Sequence, residues 1–172
     1  VLEQDTISFP VSGLTSFKEL KESGLGTDTK TEVVLFQVEK PSDKIAKKMN
    51  ISNGLVDEIK RVRIIDNERI IYDHDYINAA IIPGLTEKEA ENSIYEYIEK
   101  DLGLTISFAR KEITVVPATS EDRKLLDLKD YDFLVCVKSY NFLEDASLFA
   151  YTVSKHRPDK FRFVDFSRRE AR

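Results

Sequence analysis

The chain has 172 residues, of which 41% are hydrophobic and 33% charged, and its formal net charge is −5. That length and apolar content suffice for one well-buried core, whereas the acidic balance argues against a protein whose main task is to hold DNA or RNA by itself. A single cysteine, Cys136, in the apolar run Phe133-Leu-Val-Cys-Val137 excludes an internal disulfide, and no apolar run approaches the roughly 20 residues of a membrane span. With no basic-then-apolar leader at the N-terminus, the expected location is the cytoplasm.

In chain order, Ser12-Gly13 forms a turn, and Thr15 or Ser16 can cap a helix that Gly24 and Gly26 stop. Lys30–Val38 is rich in β-branched residues and predicts a strand, followed by a helical Lys44–Asn50. Leu55–Ile65 and Arg69–Ile77 predict a β-hairpin closed by the three polar residues Asp66 to Glu68. Thr86-Glu-Lys-Glu89 has capping-box spacing, and a helix is expected from about Asn92 to Asp101, before Gly103. Ile106–Val116 is a further strand and Thr119–Leu126 a short helix. Strands at Asp132–Asn141, Leu148–His156 and Phe161–Asp165 close the chain. Consecutive hairpins predict an α+β fold: an antiparallel sheet with helices packed on one side, in one domain spanning 1–172.

The charge is uneven. From Ser147 onward seven Lys/Arg face three acids, which leaves the preceding part at about −9. The opening residues, Val1-Leu-Glu-Gln, read as the middle of a longer chain.

Side chains of a strand alternate in direction, so Arg61 and Arg63 share a face. A three-residue hairpin loop pairs Ile65 with Arg69, Arg63 with Ile71 and Arg61 with Asp73, which gathers Arg61, Arg63 and Asp73. Paired guanidinium groups suit a phosphate or carboxylate. The plainer alternative is a surface ion pair contributing roughly 0–1 kcal/mol. Ser93, at a helix start, either caps the backbone or donates to an anion. His74 and His156 have no partner at metal-ligand spacing, and glycine-rich phosphate loops, Cys-x-x-Cys pairs and serine elbows are absent. No cofactor or metal is expected, and catalysis has no gathered set of residues to support it.

Five pieces in this order carry a resemblance. They are Gly13-Leu-Thr-Ser-Phe17, Lys60-Arg-Val-Arg63, Asp73-x-x-Tyr76, Asn92-Ser-Ile-Tyr95 and Lys155-His-Arg-Pro-Asp-Lys-Phe-Arg-Phe163. Together they resemble the effector-binding (UTRA) domain of the HutC branch of GntR-type bacterial transcription regulators, over nearly the whole chain. Phe9–Leu20, Glu91–Ile98 and Asp159–Phe166 are similar to the trehalose-responsive members of that family. The resemblance implies a chorismate-lyase-like fold without that enzyme's activity. It also implies a homodimer, a phosphorylated sugar as effector with trehalose 6-phosphate the specific one, and operator DNA bound through a winged helix-turn-helix domain that these residues do not contain. Carried over by position, the effector contacts fall on Thr15, Ser16, Phe17, Arg61, Arg63, Asp73, Ser93, Ile94 and Tyr95, with Tyr151 and His156 as further candidates. Two positions depart from the family's pattern. Asp73 stands where a glutamate is usual, and Ala150 aligns with a glutamate of amino-sugar-phosphate sensors. A sensor of another sugar phosphate and an enzyme on the same fold are the competing readings.

Overall fold

The computed structural model describes residues 7–10 and 28–164. Six strands form one antiparallel sheet: β2 (Thr29–Glu39), β3 (Val56–Ile65), β4 (Glu68–Asn78), β5 (Ile106–Pro117), β6 (Phe133–Leu143) and β7 (Leu148–His156), in the spatial order β2-β3-β4-β7-β6-β5. Every neighbouring pair is antiparallel. A separate two-stranded parallel ribbon joins β1 (Ile7–Pro10) to β8 (Phe161–Val164). The sequence pattern did not reveal β1. Four residues carry too little alternation to read, and the partner strand lies at the opposite end of the chain.

The β3–β4 hairpin differs from expectation at its tip. Asp66 and Asn67 both adopt positive φ (50° and 64°), making a two-residue turn in which Ile65 pairs with Glu68 instead of Arg69. Such turns match the right-handed twist of the strands, and Asp and Asn tolerate the left-handed conformation better than other non-glycine residues. A register shift between Arg63 and Ile64 then restores Arg63 opposite Ile71 and Arg61 opposite Asp73.

Helices cover both faces of the sheet, not one. On one face lie α2 (Glu87–Asn92) and α3 (Ile94–Glu96), the latter continuing as a wider turn over Tyr97–Asp101. They bury Ala90, Ile94 and Ile98 against Ile59, Ile77, Leu143, Phe149 and Ala150. On the other face, α1 (Asp43–Met49) packs Ile45 and Met49 on Val56 and Tyr151. There α4 (Ser120–Leu125) and the following Leu126 and Leu128 cover Val62, Tyr72 and Leu134. The split follows from strand alternation, because β3 and β4 carry apolar residues at both odd and even positions and each set needs its own cover.

The helix expected from Asn92 to Asp101 is interrupted. Ser93 is extended (φ −161°, ψ 112°), ending α2 and capping α3 through a hydroxyl that accepts from Glu96 N–H at 3.2 Å. Upstream, the Thr86–Glu89 capping box forms as its spacing predicted.

Candidate effector site

The register brings chemistry to one face of the sheet in transverse rows. Arg61 lies opposite Asp73, which lies opposite Ser154, while Arg63, Ile71 and His156 form the neighbouring row. Toward the other end, Ile59 lies opposite Asp75, which lies opposite Thr152. Above these rows Arg61 reaches the Ala90 carbonyl, and Ala90 and Ile94 pack with Ile59 and Ile77, so the polar groups are enclosed between the sheet and α2–α3. Arg61, Arg63, Asp73, Asp75, Ser93 and His156 are all buried.

The two arginines are satisfied diagonally. Arg61 donates from Nε and Nη2 to Asp75 Oδ2 at 3.0 and 2.7 Å, and from Nη1 to the Ala90 carbonyl at 3.2 Å. Arg63 donates from Nε to Asp73 Oδ2 at 2.9 Å and from Nη1 to Thr31 Oγ1 at 2.7 Å. The remaining carboxylate oxygens accept from hydroxyls: Asp75 Oδ1 from Thr152 at 2.8 Å and Asp73 Oδ1 from Ser154 at 2.5 Å. Ser154 Oγ also lies 2.9 Å from His156 Nε2. At the edge of the cluster, the half-buried Tyr95 places its hydroxyl 3.4 Å from Asn141 Oδ1.

Two guanidinium groups and two carboxylates balance in charge, which lets a buried polar cluster persist where isolated ions would not. Burial works to raise the Asp73 carboxyl, but the charges of Arg63 and Arg61, with the Ser154 hydrogen bond, hold it below the usual carboxylate range. Burial pushes the His156 imidazole down to about 4 against the opposing pull of Asp73, so the ring is neutral near pH 7. The cluster thus offers hydroxyl, carboxylate and guanidinium groups at close quarters under a helix start, a set suited to a polyhydroxylated ligand with an anionic end.

Of the residues marked in the sequence, Arg61, Arg63, Asp73 and His156 meet here, with Ile94 packed above them, Tyr95 at the edge and Ser93 buried as the cap of α3. Thr15, Ser16 and Phe17, with the helix expected after them, lie outside the described residues. Tyr151 goes to the other face, where its ring lies 4.9 Å from Tyr140 and 6.4 Å from Tyr76 beneath α1. An odd number of positions separates it from His156, and strand alternation cannot aim both at one site. Arg63 is 6% exposed, so its pairing with Asp73 is not the surface ion pair of the plainer alternative. Sequence reasoning missed Asp75, Thr152, Ser154 and Asn141. Asp75 was within reach of it, since two residues from Asp73 on a strand means the same face. The described residues contain no cluster of three His, Cys, Asp or Glu able to hold a metal ion, and no helix long and apolar enough to cross a membrane.

Comparison with known proteins places these residues in context. Residues 24–162 match the model of the UTRA domain. The chain is 54% identical over 171 residues to the HTH-type transcriptional regulator TreR of Bacillus subtilis (strain 168), covering 98% of this chain and 71% of that protein. It is 26% identical to the mannosyl-D-glycerate transport/metabolism system repressor MngR of Escherichia coli (strain K12), over 99% of this chain and 71% of that one. Among solved structures, the effector-binding domain of the B. subtilis trehalose repressor superposes with a TM-score of 0.74 at 53% identity, over 83% of this chain and 99% of that domain. These relatives are transcriptional regulators, not enzymes.

Proposed function

The chain belongs to the UTRA-domain family, and from that premise we propose that it is the effector-sensing part of a trehalose-operon repressor, with trehalose 6-phosphate as its effector. The observation that carries this reading is the buried arginine–aspartate cluster. Two arginines and two aspartates occupy a place between sheet and helix that apolar side chains could fill at no loss of stability, since a buried set of ion pairs is weak evidence for a stabilising role, and a role in binding accounts for them better. The 54% identity to TreR across almost the whole chain supports the choice of sugar.

In this reading the phosphate is held by Arg61 and Arg63 with the Ser93 hydroxyl and the backbone N–H groups of Ile94 and Tyr95, completed by Thr15, Ser16 and Phe17. A dianionic phosphate competes with Asp73 and Asp75 for the guanidinium groups. Freed carboxylate oxygens of these aspartates, with Ser154, Thr152 and Asn141, then accept from or donate to sugar hydroxyls. Ala150, in the row of Ile77 and Asn141, leaves the site without the carboxylate that an amino sugar would need. Ligand entry therefore rearranges the contacts between sheet and α2–α3, and in a homodimer joined to a DNA-binding domain that rearrangement biases operator binding. Coupling of this kind is typically about 1–3 kcal/mol.

Titration calorimetry of the chain with trehalose 6-phosphate, with trehalose and glucose 6-phosphate as controls, tests the proposal. Saturable binding of the first with much weaker responses to the others is expected. Silence for all three rejects this effector.

A further inference from the structure

The opposite face of the sheet carries a second concavity, of about 280 Å³, between α1 and α4. Its floor is set by the same register that builds the first site, read at even positions of β4 and odd positions of β7. Tyr76 lies opposite Tyr151, His74 opposite Val153 and Tyr72 opposite Lys155. Aromatic rings run along β4 in contact, with His74 and Tyr76 4.6 Å apart at their centroids and Tyr72 6.3 Å from His74. Ser42, Lys44, Ile45 and Lys48 form one wall, and Glu121 stands on the other.

The charge of this cleft is unlike that of the buried cluster. Lys155 is neutralised by Asp122 at 2.8 Å, and Glu121 by Lys60 at 2.7 Å. Lys44 and Lys48 have no carboxylate partner among the described residues. Lys48 instead donates to the Tyr140 hydroxyl at 3.3 Å, with its ammonium 5.0 Å from the centre of the Tyr151 ring. Contact with the Tyr140 and Tyr151 phenols raises the Lys48 ammonium above its ordinary value, so it stays charged. A carboxylate does border the floor, Glu58 at 2.7 Å from His74, where it also accepts from Gln37 at 2.6 Å, so it is the α1 wall, with two uncompensated cations beside ring faces, that attracts an anion.

We infer that this cleft is a second ligand site, separate from the arginine–aspartate cluster, for a small ring compound carrying a phosphate or carboxylate. The anionic group meets Lys44 and Lys48, and the ring lies along His74 and Tyr76. The sheet separates the two sites, and β4 and β7 line both. A ligand here therefore acts on the same β4 and β7 that hold Asp73, Asp75, Thr152 and Ser154.

The test is a methyl-resolved NMR titration of the chain with glucose 6-phosphate, phenyl phosphate and, as a ringless control, inorganic phosphate. Ile45 and Val153 report the cleft, Ile59 and Ile94 the other face. Saturable shifts at Ile45 and Val153 are expected for at least one ring phosphate, at lower concentration than for inorganic phosphate. Which of the two binds tells a sugar ring from an aromatic one. Lys48→Gln should weaken that response about tenfold, as loss of one charge-assisted contact implies, and the exposed Lys44→Gln, which disturbs no packing, should weaken it in the same direction. No saturable shift at the cleft methyls with either ring phosphate overturns the inference, as does a response that both lysine variants leave intact. Because the two faces report separately, failure here is distinct from failure of trehalose 6-phosphate to bind.

Discussion

Removing the Asp75 charge takes from Arg61 its one hydrogen-bonded carboxylate, since the guanidinium's contacts are to Asp75 Oδ2 and the neutral Ala90 carbonyl, and leaves it only the charge of Asp73 nearby. Breaking a buried pair in this way costs about 3–5 kcal/mol, so Asp75→Asn should lower unfolding stability by that order in urea. Inorganic phosphate should then raise the melting temperature of the variant more than that of the parent, because it replaces the missing negative charge. Equal stability would show that Asp75 is not the counter-charge. Arg63→Ala falls under the same rule, as it leaves Asp73 unpaired and cannot be a silent test of ligand contact. Two buried groups set the acid limb in opposite directions. His156, lowered to about 4, contributes stability that is full above 6.5 and is lost as pH falls through 4. Asp57, pushed up by burial to about 6, contributes stability present below 3.8 and lost as pH rises through 6. Each is worth up to about 3 kcal/mol, so between pH 4 and 6 they largely cancel. Asp57→Asn should raise stability at pH 7 and expose a fall of about 3 kcal/mol from pH 7 to pH 4. A flat profile in that variant would refute the His156 assignment.

Ser93 acts at the level of the element, because it is both the stop of α2 and the cap of α3. Ser93→Ala should cost about 1 kcal/mol through the lost cap. If it also weakens trehalose 6-phosphate binding severalfold in calorimetry, the hydroxyl serves the ligand as well. A loss of stability with unchanged affinity assigns it to the backbone alone. The break at Ser93 was hidden from the sequence because Asn92-Ser93 is compatible with a continuing helix, and Ala90 and Ile94, four residues apart, would share a face in an unbroken helix as well. Strands were legible from β-branched content and alternation, and the Arg61–Asp73 pairing from counting back from the hairpin tip. That count assumed a three-residue loop and reached the right pairing only because the bulge after Arg63 compensates for the two-residue turn. The diagonal choice of Asp75 by Arg61 was not legible, since register fixes which residues oppose each other but not which oxygen a long guanidinium reaches. Tyr151 was placed with the site by resemblance although strand parity already assigned it to the other face.

Across the whole molecule, the face that holds the arginine–aspartate cluster continues beyond its helical cover onto β5 and β6. The row of Arg61 ends at Ile113 through Val137, and the row of Arg63 ends at Val115 through Val135. Ile113, Val115 and, on the adjoining β6, Phe133 are 41%, 68% and 55% exposed, an apolar group at the edge strand β5, which has no strand on its outer side among the described residues. Such an edge is an aggregation hazard unless another chain covers it. The proposed homodimer would bury it, and the rows then supply the physical link that effector sensing needs. In that proposal a shift of Asp73 or Ser154 on ligand entry would be passed along hydrogen-bonded strands to the dimer contact, and from there to the relative placement of the two protomers. Sedimentation equilibrium should accordingly find a dimer for the parent chain and a shift toward monomer for Val115→Glu, which adds a charge at a position too exposed to disturb the monomer's core. Since effector and partner would share one sheet, trehalose 6-phosphate should also bind the monomeric variant with an altered affinity. An unchanged affinity together with an unchanged dimer would place the contact elsewhere and remove this route of coupling.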